Sequence, residues 1–154
     1  MTAKVTLKES KDLDGILAKL PIELRGKALA DAMKAAGKIV MLDAKKRIPR
    51  GDPSHKPDKK PLADSLGVKV KGYNQDRRMV AIIGAKWPEG AHLHLIEFGH
   101  KVRQRGAKGE GPGEFTGAFV PGKRVLGPAI DTTEAKQDAA IRESLAKSIK
   151  KAGG

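Results

Sequence analysis

Cysteine is absent from the chain. That excludes a disulfide framework, thiolate metal ligands and thiol nucleophiles, and it is compatible with a reducing compartment. Aromatic residues are scarce: one Trp, one Tyr and three Phe make up 3% of the 154 residues. A chain of this length suits one domain, but its core must be built from Leu, Ile, Val, Ala and Met. Such a core is light, as expected of a loose domain or of one completed by a neighbouring chain. Acidic residues are outnumbered, 18 against 31 Lys and Arg, which gives a net charge of +13 and a pI near 10.0. That balance favours an anionic partner without choosing among nucleic acid, an acidic protein face and anionic lipid. No apolar run approaches the ~18 residues of a membrane-spanning helix. The N-terminus lacks a hydrophobic signal region, so the expectation is a soluble cytoplasmic protein with no membrane partner.

What is present reads as an α+β chain with no internal repeat. Val5 and Leu7 alternate with polar residues as in a short edge strand. Leu13, Ile16, Leu17 and Leu20 suit a short helix, and Pro21 suits the first turn of a second. In that second helix Leu29, Met33, Ala36 and Val40 fall on one stripe, a core-facing pattern that Pro49 and Gly51 end near Ile48. Residues 50 to 61 are proline-rich and charged, which predicts a loop; their Arg50-Gly51-Asp52 triplet is a chance match to an integrin ligand. Leu66, Val68 and Val70 alternate with Gly and Lys, and Met79 to Ile83 follows a turn, so the two predict an antiparallel hairpin. Ala91 to Phe98 alternates Leu with His and predicts a third strand. Lys101 to Arg124 is basic and glycine-rich, which predicts a long mobile loop. Pro128, or Asp131 with Glu134, begins a last helix carrying Ile130, Ile141, Leu145 and Ile149. The expected layout is one domain over 1–154. It is helical over 10–48, loop over 49–61, sheet over 62–99, mobile loop over 100–124 and C-terminal helix over 128–151. A small, mostly antiparallel sheet then packs against a long N-terminal helix and a C-terminal helix.

The most specific run is Trp87 to His100. His92, His94, Glu97 and His100 raise the question of a metal. On a strand, however, Glu97 points away from the His92–His94 face, and a solvated or interfacial histidine pair is the stronger reading. Gly117 to Lys123 approaches a phosphate-binding loop, but Arg124 stands where that motif needs Ser or Thr, and Pro121 spoils a nest of backbone N–H groups. No Gly-x-Ser-x-Gly elbow is present, and Asp64-Ser65 reads as a turn. No catalytic set, cofactor or metal is therefore expected. Weak, sequence-blind contact with DNA remains open, with Phe115 and Phe119 as the only aromatics of the basic loop.

Glu97-Phe98-Gly99 is the candidate interface or turn, with Arg103 and Arg105 beyond it. Phe98 is expected to be a buried anchor at the end of a strand. Gly99 is expected to turn the chain at a positive φ. Glu97 has two readings: accepting hydrogen bonds from loop N–H groups, or pairing with Arg103 or Arg105 of a second copy, which is slightly preferred.

In its order of motifs the chain resembles the HK-ninety-seven gene-product-ten-like family of tailed-phage neck, tail-completion and minor tail components. The pieces are Ala44-Lys45-Lys46-Arg47-Ile48-Pro49, then Leu62-Ala63-Asp64-Ser65-Leu66, then Glu97-Phe98-Gly99, then Pro128-Ala129 leading into a helix. They span roughly Leu13 to Ile149. The chain departs from the family pattern in its longer loop over 50 to 61, in His100, and in Val125-Leu126-Gly127 ahead of Pro128. The resemblance implies a non-enzymatic virion component at the head–tail junction, assembled in the host cytoplasm. It also implies a homo-oligomeric ring whose partners are other phage neck and tail proteins.

Overall fold

A computed structural model describes residues 2–6, 11–49, 61–73, 78–88, 90–104 and 113–152. The expected loop over 50 to 61 therefore lies outside the described residues except for Pro61, and so does Arg105.

Among the described residues five strands and four α-helices follow in the order β1 (Thr2–Thr6), α1 (Lys11–Ala18), α2 (Ile22–Arg47), β2 (Leu66–Tyr73), β3 (Arg78–Ala85), α3 (Leu93–Phe98), β4 (Gly99–Arg103), β5 (Phe115–Pro121) and α4 (Leu126–Ala152). A 3-10 turn, Leu62–Ser65, leads into β2. The first three strands form an antiparallel sheet ordered β1-β3-β2. The last two form a separate antiparallel pair. This is the α+β architecture that the alternating and helical periods predict: small antiparallel sheets with a long helix and a C-terminal helix.

Helix α2 organises the core. Three residues of its predicted stripe, Met33, Ala36 and Val40, are at 0% exposure, and Leu29 at its start is half-buried. The stripe continues through Ala44 to Ile48. One face meets β2 and β3, where Leu66, Ala81 and Ile83 complete a cluster with Leu93, Val125, Leu126 and Ala129. Gly37 makes this approach possible, because a Cβ there would lie 2.6 Å from Val68 Cγ1 and 3.3 Å from the Ala81 Cβ. A second face uses small residues, Ala28, Ala32 and Ala36, to receive Ile141 and Leu145 of α4, with Leu20 at the edge. The late part of α2 thus meets the early part of α4 and the early part meets the late part, so the two helices run antiparallel. Thr133 and Gln137 sit between these α4 contacts and are buried. Both satisfy themselves within the helix: the Thr133 hydroxyl donates to the Ala129 carbonyl (2.6 Å), and Gln137 Nε2 donates to the Ile130 carbonyl (2.9 Å) and to Thr133 Oγ1 (3.0 Å).

Two expectations are corrected. Ala91 to Phe98 is not a strand: a turn leads into the short helix α3. Leu93, Ile96 and Glu97 have the i, i+3, i+4 spacing of a helix face, and burial of Leu93 (1% exposed) and Glu97 (4%) selects that period over the Leu–His alternation. The basic stretch after Gly99 is also not loop throughout, because β4 and β5 pair across it. The aromatic residues are the other surprise. Trp87, Phe98, Phe115 and Phe119 are 82%, 61%, 54% and 58% exposed, so all three Phe and the single Trp lie outside the core.

Candidate functional site

The site is the junction where α3 ends, the β4–β5 pair begins and α4 starts. Gly99 closes α3 with φ +80. A side chain is excluded there twice over: by the angle, and because a Cβ would overlap the Val120 carbonyl. Gly122 is its counterpart, since a Cβ on it would overlap the Glu97 carbonyl and meet the Gly99 nitrogen at 2.7 Å. Two backbones therefore cross at van der Waals distance, and each needs a glycine. Gly99 pairs with Pro121 in register, and the Lys123 N–H donates to the Ile96 carbonyl at 2.7 Å. Arg124, at φ 44, then bends the chain toward α4.

Glu97 fastens this crossing to α4. Its Oε2 accepts the Val125 N–H at 2.8 Å, and the Leu126 N–H lies 3.2 Å from Oε1 and 3.3 Å from Oε2. These donors stand at the start of a helix, where backbone N–H groups have no partner within the helix. An acidic group is well placed there, facing the positive end of the helix dipole. A local capping residue is thus replaced by a carboxylate from 28 residues earlier in the chain. Of the two readings of Glu97, this geometry favours the acceptor of backbone N–H groups. Phe98 is not the buried anchor expected. It points to solvent at 61% exposure while its neighbour Glu97 turns inward. Leu93 is the residue of α3 that anchors in the core.

The β4–β5 pair extends from this base. Phe115 to Pro121 is exposed at every position, so both faces of this strand meet solvent. Gly99, Lys101 and Arg103 face Pro121, Phe119 and Phe115 in register, with an irregularity between Lys101 and Arg103. The Arg103 guanidinium lies 4.0 Å from the Phe115 ring centroid and Lys101 Nζ lies 5.8 Å from it. This is a cation–π arrangement that sets two cations against one aromatic ring. The opposite face carries His100, Val102, Thr116, Ala118 and Val120. Beyond the strands the Gln104 N–H donates to the Glu114 carbonyl at 2.8 Å.

The histidines do not converge. His92 precedes α3 and is exposed, while the exposed His94 places Nδ1 2.7 Å from the Ala91 carbonyl oxygen. Glu97 points to the start of α4. Among the described residues no group of three or more His, Asp and Glu is placed to hold a metal ion. The near-phosphate-loop Gly117 to Lys123 is largely strand rather than a nest before a helix. No helix of the described residues is long and apolar enough to cross a membrane.

No curated protein and no solved structure matches the chain. Residues 11–99, more than half of the sequence, match the family model described as "Bacteriophage HK97-gp10, putative tail-component". The match runs from the start of α1 to Gly99, ending at the glycine that opens the crossing. The chain therefore belongs to the HK97-gp10-like family of phage tail components.

Proposed function

We propose that this tail component is a structural subunit of the head–tail junction, a neck or tail-completion protein that works as one member of a ring without catalysing a reaction. The observation that carries the reading is the placement of the aromatics. In a protein poor in large apolar side chains, Trp87, Phe98, Phe115 and Phe119 all face solvent. Exposed aromatic and Arg side chains are characteristic of protein interfaces, where they supply large buried areas. Partners would be copies of the chain and other neck and tail proteins, and the site of action would be the virion, after assembly in the host cytoplasm. Electron microscopy of particles made without the gene tests this. The reading expects separate heads and tails, rejoined when the wild-type chain is added back. Normally joined particles would refute it.

A second reading is supported by Lys101, Arg103 and Phe115 lying together on an open strand face. The alternative is a basic accessory protein that touches nucleic acid without reading sequence. Strong binding of DNA by the isolated chain, weakened by salt, would favour it.

A further inference from the structure

The β4–β5 pair presents a basic, aromatic face, and α4 carries a stripe of the opposite charge. Its inward face is Leu126, Ala129, Thr133, Gln137, Ile141 and Leu145. The outward side is not uniformly basic, although the chain carries +13. Asp131, Glu134 and Asp138 are exposed and spaced by three and four residues, so they form one stripe. The exposed Ala135 and Ala139 lie beside it and leave it flat. None of these three carboxylates makes an ion pair with a described residue, in contrast to Asp43 with Arg47 and Glu143 with Lys147 on the same pair of helices. An acidic, small-residue stripe matches in charge and relief a face on which Lys101 and Arg103 lie against the exposed Phe115 ring, with exposed Phe119 beside them.

We propose that the Lys101–Arg103–Phe115–Phe119 face of the hairpin docks on the Asp131–Glu134–Asp138 stripe of α4 in a second copy of the chain. The inference rests on the ring reading above and names the contact that builds it. Donor and acceptor surfaces are different parts of the molecule, so the contact is heterologous. Repeated from copy to copy, it closes a ring if the rotation allows. The cations confer register and partner choice, and the Phe rings supply the desolvated centre. Fixing Arg103 over Phe115 beforehand reduces the side-chain freedom lost on docking.

Charge reversal with rescue is the test, read as copies of the full-length chain retained per purified particle. One variant carries Lys101→Glu and Arg103→Glu, another carries Asp131→Lys, Glu134→Lys and Asp138→Lys, and a third carries all five. All changed positions are exposed, and circular dichroism with thermal melting verifies folding. The expected result is at least a tenfold loss for each partial variant, with recovery when all five changes are combined. Wild-type retention in either partial variant overturns the proposal. Loss in both without recovery also overturns it, because the two surfaces then serve different partners. A wild-type chain absent from particles, or present as single copies, defeats the ring reading and this inference with it. A wild-type ring that tolerates the reversals defeats this inference alone.

Discussion

At the scale of single residues, Glu97 and Phe98 are adjacent and have opposite roles. Glu97→Ala leaves the Val125 and Leu126 N–H groups buried without an acceptor, at a cost of about 1–3 kcal/mol for each unsatisfied group. Glu97→Gln keeps one oxygen and loses less. Thermal melting of both variants checks the order, and an alanine variant as stable as wild type would remove the cap from the account. Phe98→Ala should change unfolding free energy by no more than about 0.5 kcal/mol, since its ring is exposed. A loss of about 3–5 kcal/mol in urea unfolding, as for a buried Phe, would show the ring covered. The turn at Gly99 is legible from the sequence, because Glu-Phe-Gly ends a periodic run and glycine alone suits the angle. The role of Glu97 is not. Its partners lie 28 residues onward, and no local spacing announces a side chain that caps a distant helix.

At the scale of elements, α2 is the most readable part of the chain because its period persists for several turns. Met33→Ala in the middle of its buried stripe should cost about 2–5 kcal/mol, measured by denaturant unfolding. Helix α3 is misread for the converse reason. Six residues fit either period, and only tertiary burial chooses between them. Strand β5 is hidden by its own glycine and by the absence of a buried side, which leaves no alternation to detect. The α2–α4 contact has a pH dependence whose sign follows from Asp43. Its carboxyl is held below the usual carboxylate range, first by the hydrogen bond from Arg47; burial, the next largest effect, opposes this, and the Arg47 charge, Thr132 and Lys46 lower it further. The unfolded chain therefore takes up the proton first as the medium is acidified. The contribution is complete above the unfolded carboxyl's pKa and disappears as pH falls through the lower folded value. For an ion pair near the surface it amounts to about 0.2–1 kcal/mol. Asp43→Asn should accordingly be less stable than wild type at neutral pH, and the difference should shrink in acid; urea titrations at both pH values measure it.

At the scale of the whole molecule, Trp87 and the three Phe lie outward while Ala, Leu, Val, Ile and Met fill the interior. The sequence foreshadows a light core, but it does not reveal that Trp87 and the three Phe avoid it, because composition counts residues without locating them. If the basic surface touches DNA in passing, binding should be weak and indifferent to sequence. Its logarithm should fall against log salt with a slope near −0.9 for each phosphate contacted. A filter-binding series across salt concentrations and unrelated duplexes measures this, and a strong preference for one duplex would refute sequence-blind contact.

The exposure of Trp87 has an optical consequence. It is the single indole in the chain and is 82% exposed. Its emission in the native monomer should already resemble that of indole in water, so denaturation should barely change its colour. A fluorescence melt would then report almost nothing about folding. Emission that moves to the blue on mixing with another virion protein would instead mark this corner as covered, making the residue a built-in reporter of assembly.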